Sequence, residues 1–565
     1  MRIYDNSNIA ESYSGVTTPL TYSFARAVYQ EVYVHFCGMM GVSRRVIEAN
    51  RPMFAKMVEF IGGRIYYDLI NWYRLVSFLP GYSFNRGFFE KMLGLQKEYR
   101  YAPPEAGALE RWGLIFPRLL FQTAKIGASF LFMGTLAGRF NRRFDREYAR
   151  LDSLDLGRLS PAECAGLYRR VYDEFVARWQ VPIANDFAVM VSAGLADRLY
   201  RRWLGVDGYL RIFSRSRRPL VSLDPGYRIM GLTALIKSDP ELSALFAPGR
   251  DPAEILRRLR GPLSGTAAAA EIEDYLSRFG SRVPNELKLE SRTINEDPEF
   301  FISILRASLA SAGDGAPSED CLPGPDRALP AWRRLALAAV GRWAVNSVYL
   351  REETRFRRSL IFGFSRKLFL AVADKFVSSG LIGARDDVFF LTLEEVLDAC
   401  ASGRLPGGAA EAVAARRRDC AFWRERETPR RIESELGVAE IEAGLRAAPG
   451  PAAAALAGVL KGMIAARTPE ERVSGQALVL PEFDPSADFT GKILVTRQTD
   501  PGWTIVFPLL KGIVVERGGM LSHAAIVARE LRIPCIVGAA GAVAGVRQGA
   551  TVEMHMGTGE LHVLN

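Results

Sequence analysis

The sequence predicts a multidomain α+β protein, a large, mostly α-helical domain followed by a small β/α domain. Three observations carry that reading. Along most of the chain, apolar residues recur at three- and four-residue spacing, as in Phe24–Phe36, Leu167–Trp179, Trp343–Phe356 and Leu368–Phe376. From about Val473 the texture changes to short β-rich runs. Between the two lies an Ala/Gly/Pro-rich stretch, about Ala447 to Pro469. The domains are therefore expected at 1–446 (helical), 447–472 (linker or hinge) and 473–565 (β/α).

Within the helical part, turn-rich breaks punctuate the periodic segments at Pro80-Gly81, Pro103-Pro104, Asp224-Pro225-Gly226 and Gly313 to Pro325. The last reads as an exposed loop. No internal repeat at solenoid periods is visible. In the C-terminal part, strands are expected at Ile493–Thr496, Gly512–Val515, Pro534–Val537, Ala550–Glu553 and Glu560–Leu564. One helix, about Ser522–Leu531, lies between them.

Composition bounds the function. Of 565 residues, 48% are apolar and 24% charged, ordinary for a folded chain and unlike a disordered one. The net charge of +10 sits mostly outside the C-terminal domain. It is not arranged as basic runs interleaved with aromatics, so nucleic acid is not an expected partner. Six scattered cysteines (Cys37, Cys164, Cys321, Cys400, Cys420, Cys535) have no CxxC spacing. They suit a reducing cytoplasm and neither a zinc site nor a disulfide framework. The N-terminus lacks an apolar signal core. The longest apolar stretch, Ile126 to Gly138, is too short to span a bilayer and reads as a buried helix, so no membrane role is expected. No metal-ligand cluster is expected either.

Only four histidines occur. His523 stands in Glu516-Arg517-Gly518-Gly519-Met520-Leu521-Ser522-His523-Ala524-Ala525-Ile526-Val527-Ala528-Arg529-Glu530-Leu531. Gly518 and Gly519 allow a tight turn after a strand. Ser522 is a plausible N-cap, which puts His523 in the first helical turn. There, backbone N–H groups and the helix dipole favour an anion. Ala524 and Ala525 leave the imidazole accessible. Such a histidine is suited to accept a phosphoryl group and hold it briefly. His35, His555 and His562 have no comparable context and are expected to be structural or solvated.

Residues 518–538, Gly-Gly-x-x-Ser-His-Ala-Ala-Ile-Val-Ala-Arg-Glu-Leu-x-Ile-Pro-Cys-Ile-Val-Gly, closely resemble the phosphohistidine signature of the phosphoenolpyruvate (PEP)-utilising enzyme family. There the signature lies on a mobile, swivelling domain. Thr499-Asp500-Pro501-Gly502-Trp503 resembles that family's Thr-Asp-Pro loop. About 40 residues follow His523, too few for the pyruvate-handling barrel of PEP synthase and pyruvate phosphate dikinase. The order of domains instead resembles rifampicin phosphotransferase without its N-terminal ATP-grasp domain. Gly15-Val16-Thr17-Thr18-Pro19-Leu20-Thr21-Tyr22-Ser23, the segment from Arg278 to Leu287, Glu296-Asp297-Pro298, Arg351-Glu352-Glu353-Thr354-Arg355 and Asp387–Thr392 resemble stretches of its helical substrate domain. Where the resembling pattern has histidine, this chain has Ser281.

The resemblance implies that His523 is charged from ATP held, with Mg²⁺, on a separate ATP-grasp component. It then passes phosphate to a small-molecule acceptor bound in the helical domain. Arg351 and Arg355, four apart, share a helix face and could clamp a phosphoryl group, with Glu352 as proton acceptor. Arg282 and Glu286 have the same spacing and form a second candidate pair, with an internal ion pair as the plainer reading. Apolar runs such as Phe116–Phe121 could line a pocket or simply fill the core. Three other functions stay open: a ligase-like enzyme that condenses a phosphorylated acceptor, a relative of PEP synthase, and a non-catalytic phosphocarrier or binding protein.

Overall fold

The structure, a computed structural model, describes residues 2–78, 116–206, 221, 223–247, 249–281, 287–310, 329–448, 458–468, 470–520 and 522–564. Arg282, Glu286, Cys321 and the breaks at Pro80-Gly81, Pro103-Pro104 and Gly313–Pro325 lie outside the described residues. The chain forms two compact units. One comprises Met1–Gly194, Leu287–Glu290 and Asn346–Ala452, the other Leu195–Glu286, Ser291–Val345 and Ala453–Asn565.

The first unit is built around the helix Pro19–Met39 and the second half of the helix Ala331–Ser378. Their apolar faces meet in an aromatic core, where Phe24 lies edge-on to Phe362 at 5.1 Å and to Phe369 at 6.3 Å. Pro19 starts its helix at a position where the missing N–H costs nothing. The Thr18 side chain does not cap that helix. The Glu290 carboxylate does so instead, accepting from Thr18 N–H (3.2 Å), Thr18 Oγ1 (3.0 Å) and Thr21 Oγ1 (2.6 Å). Leu289 N–H donates to Thr21 Oγ1 at 2.9 Å. A negative charge at a helix N-terminus is favourable, and this one ties together segments about 270 residues apart. The Thr17–Thr21 segment thus has a structural task.

Sequence periodicity missed a four-stranded antiparallel sheet in this unit. Its strands are β1 (Arg2–Asp5), β2 (Val58–Ile61), β3 (Arg64–Asp68) and β4 (Arg431–Ser434), in the order β2-β3-β1-β4. Four- or five-residue strands carry little periodic signal, and β4 joins from more than 350 residues away. A two-residue turn, Gly62-Gly63, links β2 to β3 with both glycines at positive φ (+56° and +69°), the conformation that tight hairpins need. The Leu167–Trp179 periodicity is interrupted too: a helix Pro161–Val171 runs into a π-helical turn at Tyr172–Val176.

Two apolar stretches are not buried as expected. The Ile126–Gly138 stretch spans a break between the helices Phe116–Leu131 and Met133–Asp152, with Leu131 and Phe132 exposed. In the Phe116–Phe121 run, Leu120 and Phe121 are exposed. The apolar stretch straddles the end of one amphipathic helix and the start of the next, so it does not lie on a single inward face. Among the described residues, no helix is long and apolar enough to cross a membrane.

In the second unit, helices Asp224–Ser238, Ala267–Phe279 and Pro298–Ala310 pack together, with Tyr275 stacked on Phe301 at 4.7 Å. The unit also holds a mixed sheet of eight strands: β5 (Val459–Lys461), β6 (Met463–Ala466), β7 (Arg472–Val479), β8 (Ile493–Thr496), β9 (Gly512–Val515), β10 (Cys535–Val537), β11 (Thr551–His555) and β12 (Glu560–Val563). β7, β8, β9 and β10 are parallel neighbours, and the near-continuous apolar runs of β8, β9 and β10 are what burial on both faces requires. The expected strands and the helix His523–Leu531 appear within a few residues of their sequence positions.

Residues 459–466, which read as linker, form β5 and β6. In the order β5-β12-β11-β7-β8-β9-β10-β6 these two are the outermost strands, yet only Gly462 separates them in the chain. The sheet therefore closes on itself. Gly462 N–H donates to Gly559 C=O at 2.9 Å, and a Cβ there would lie 2.7 Å from both Ile536 Cγ2 and Val537 O. That crowding explains the glycine.

Candidate functional site

His523 lies beyond the carboxyl ends of β8 and β9, the edge where parallel α/β sheets hold their ligands. After β8 the chain enters Gln498-Thr499-Asp500. The Asp500 side chain accepts from Gly502 N–H at 2.8 Å and starts a 3-10 turn, Pro501–Ile505. After β9 the chain turns at Gly518 (φ +106°), and Ser522 caps the helix with its Oγ 3.4 Å from Ala525 N. At Gly519 the space beside Cα is open. Gly518 turns the chain and Ser522 caps the helix, as read from the sequence, whereas neither φ nor space demands a glycine at 519. Residue 521 lies outside the described residues.

The imidazole rests between two threonines. Thr499 Oγ1 is 3.5 Å from Nδ1 and Thr504 Oγ1 is 3.3 Å from Nε2, with the Phe507 ring 6.0 Å away. His523 is only 2% exposed. The expectation that Ala524 and Ala525 would leave it accessible is not met in this arrangement. The first residues of the helix Asp224–Ser238 and the turn Pro501–Ile505 pack together beside it, with Gly226 against Thr504. Thr504 was not singled out from the sequence; its position just past the Thr-Asp-Pro loop is the signal that could have found it.

Arg529, two turns along the His523 helix, anchors the glycine loop. Its Nε donates to Ala465 C=O and its Nη2 to Met520 C=O, both at 2.6 Å. It ties the loop to β6. The neighbouring Glu530 carboxyl is pushed up to about 7, chiefly by burial and against the pull of Arg529.

The other predicted trio sits in the first unit. Arg351 Nε is 3.6 Å and Arg355 Nη1 3.9 Å from Glu352 Oε1, so the structure does bring these three together. Glu352 is buried, however, at 1% exposure. Two further charges belong to the cluster and were not read from the sequence. Arg358 continues the face of Arg351 and Arg355 one turn on. Asp186, on the helix Gln180–Leu204, interacts with all three guanidiniums. Burial pushes the Asp186 carboxyl up; the three arginines pull it down, and Glu352 adds to the rise.

Arg358 also lines a cavity of about 80 Å³ walled by aromatic and aliphatic side chains alike, among them Tyr13, Tyr29, Tyr33, Trp179 and Ile361. Burial raises the three phenols, so they stay protonated at neutral pH. Tyr29 shares a hydrogen bond with Tyr67 (3.2 Å), and Trp72 donates to Tyr33 (3.4 Å). Ser281, at the departure from the resembling pattern, is buried. His35 is exposed and bonds through Nδ1 to Glu31 C=O at 2.9 Å.

A third constellation was not expected. The structure brings His555, Glu560 and His562 together on the β11–β12 hairpin, with one ligand atom from each within 4.8 Å of the others. The alternation of polar residues on two short strands was its only sequence signal.

A histidine in the first turn of a helix, at the carboxyl edge of a parallel sheet and flanked by hydroxyls, matches a known class of domain. Residues 489–559 match the family described as PEP-utilising enzyme, mobile domain. Residues 183–352 match the rifampicin phosphotransferase fourth domain. Among individual proteins, the chain is 28% identical over 389 residues to a rifampicin phosphotransferase of a Streptomyces species, covering 66% of this chain and 43% of the relative. The rifampicin phosphotransferase of Bacillus cereus is 25% identical over 399 residues, covering 68% and 44%. A prodigiosin synthesizing transferase of Serratia marcescens is 25% identical over 421 residues, covering 72% and 46%. The chain thus spans less than half the length of the curated relatives it matches.

Proposed function

We propose that this chain is the phosphoryl-carrying and acceptor-binding part of a phosphotransferase. The observation that carries the reading is His523 at the helix N-terminus beyond β8 and β9, between Thr499 and Thr504. ATP and Mg²⁺ are supplied by an ATP-grasp component. The His523 nitrogen attacks a phosphorus of ATP, an N–P bond forms, and a P–O bond to the nucleotide breaks. Because His523 is buried here, the contacts of the turn Pro501–Ile505 must open for the ring to be charged and discharged.

In the second step an acceptor hydroxyl attacks the phosphorus, and the N–P bond breaks. Arg351, Arg355 and Arg358 gather the phosphoryl oxygens. The hydroxyl proton goes to Asp186, whose carboxyl is raised by burial and so is better matched to a proton in transit. Glu352, buried against Arg351 and Arg355, holds those guanidiniums in place. The apolar cavity beside Arg358, at about 80 Å³ smaller than a benzene needs, would seat only a small apolar part of a hydroxyl-bearing acceptor.

The test is ATP labelled at the β or γ position, incubated with the chain alone and with an ATP-grasp protein. Acid-labile label on His523 only in the second case, absent from His523→Gln, is the expected result. Label that persists in His523→Gln overturns the carrier role. Label acquired without the second protein puts a nucleotide site in this chain. The similarity to a protein named for synthesising prodigiosin favours a second reading, in which the phosphorylated acceptor is condensed with another molecule. Free phosphate released together with a coupled product, in place of a phosphorylated acceptor, would select it.

A further inference from the structure

The C-terminal hairpin carries a cluster that phosphoryl carriage does not use. β11 and β12 are paired so that His555 lies opposite Glu560 and Glu553 opposite His562. Residues two apart on a strand share a face, so these four side chains stand together on one side of the hairpin. Diagonal neighbours are drawn together as well: the His555 and His562 rings stack at 3.9 Å with only 6° between their planes. His555 Nε2 is 2.7 Å from Glu553 Oε1, and His562 Nε2 is 3.3 Å from Glu560 Oε2.

We propose that this hairpin face is a binding site for a divalent transition metal of the zinc type, with His555, Glu560 and His562 as protein ligands. Two imidazoles and a carboxylate are the donor set that such ions favour, and one that Mg²⁺ and Ca²⁺ do not. The three ligand atoms lie within 4.8 Å of one another. Bonds of about 2.0–2.1 Å place tetrahedral ligands roughly 3.4 Å apart, so the set closes once the imidazoles turn out of their stack and point their in-plane lone pairs at one ion. No backbone change is needed, because the ladder already fixes all three Cα positions. Glu553 serves as the outer carboxylate that orients the His555 ring, and it is itself held by Ser474 Oγ at 2.9 Å.

The opposing reading is a self-compensated charge ladder. Lys461 approaches Glu560 at 3.9 Å and Arg472 approaches Glu553 at 3.7 Å from the neighbouring strands. Both contacts are at the long end for ion pairs, and both cations are well exposed. Neither explains why the two imidazoles stack on each other, each bonded to a carboxylate of its own strand. A bound ion would clasp the last two strands of the domain, and it leaves His523 untouched.

Only four histidines exist, so each can be subtracted in turn. The free cysteines among the described residues are all buried, and Cys321→Ser in every protein compared removes the sixth. The experiment titrates the full, tag-free chain with Co²⁺, read by visible absorption, and with Zn²⁺, read as a shift in thermal midpoint. One ion per chain is expected, with both signals lost in His555→Ala and in His562→Ala and retained in His35→Ala and His523→Ala. Glu553→Gln should weaken binding about 10–100-fold without abolishing it, as loss of an outer carboxylate does. No stoichiometric binding to the parent, or equal binding by the His555→Ala/His562→Ala double variant, overturns the proposal.

Discussion

Thr499 and Thr504 flank the two nitrogens of His523, and their replacement tests how the ring is used. The nitrogen that accepts phosphate must lose its threonine partner when the phosphoryl group arrives. The other nitrogen keeps its partner throughout and is oriented by it. Nε2 is the nitrogen farther from the backbone and the better placed to reach a second molecule. Thr499, beside Nδ1, is then the orienting residue. At 3.5 Å its hydrogen bond is at the long limit. Its worth therefore falls at the low end for a neutral bond, about 0.5–1 kcal/mol. Thr499→Val should slow formation of the phosphohistidine about two- to fivefold, since 1.4 kcal/mol is about a factor of ten. Thr499→Ser should restore the rate. Thr504→Val removes a resting-state bond that phosphorylation must break, so it should not slow that rate and should raise it, by up to about fivefold. The assay is the initial rate of acid-labile labelling from ATP at saturating ATP-grasp component. No loss in Thr499→Val, or a hundredfold loss, would refute the argument: the first means that the bond does not orient the ring, the second that the hydroxyl takes part in the chemistry. A larger loss from Thr504→Val than from Thr499→Val would reverse the assignment of the two nitrogens.

Other consequences are open to simpler measurements. Glu530 has its folded carboxyl raised to about 7, so between about pH 4.5 and 7 the folded chain binds more protons than the unfolded one. Its contribution is fully present below 4.5 and is lost as the pH rises through 7. Glu530→Gln should raise the thermal midpoint relative to the parent at pH 8, by a gain of order 1–3 kcal/mol. The gain should vanish near pH 4.5; a pH-independent difference would contradict it. Glu290→Ala strips three hydrogen bonds and a charge from the start of the helix Pro19–Met39. The loss should be about 2–4 kcal/mol by denaturant titration, and Glu290→Gln should recover part of it. Gly462→Val drives a branched side chain into Ile536 and the Val537 carbonyl. It should cost about 3 kcal/mol or more and lower the thermal midpoint of the second unit first; an unchanged midpoint would show that the strand junction relaxes freely.

The legible and the illegible parts of this chain differ in kind. The His523 region could be read because its information is local. A strand, two glycines, a capping serine and an amphipathic helix follow one another within about thirty residues, each with its own propensity. Arg351 and Arg355 could be paired because a four-residue helical spacing fixes neighbours on one face, while Glu352 came in through the resemblance of the segment as a whole. Asp186 escaped because it reaches the same cluster from a different helix, and no local pattern ties residue 186 to residue 355. The sheet β1–β4 escaped for the same reason, its strands being too short to show alternation and too far apart to be paired by eye. His555 and His562 looked unremarkable singly, since their relation depends on hairpin register. Leu131 and Phe132 mark the opposite failure: composition suggested burial where tertiary structure leaves them outside.

The closure of the C-terminal sheet by the single segment 459–466 bears on how such a domain could travel. An open sheet released from its neighbours shows two rows of unpaired backbone groups, a template for aggregation. Here the two outermost strands are consecutive pieces of one chain, so neither rim is left to recruit a stranger. The same segment is where the chain enters the domain. A pull from upstream would load β5 lengthwise against β12, where three residue pairs must slide together, rather than peeling them apart one by one. The entry point thus doubles as a mechanical clasp on the domain's last strand.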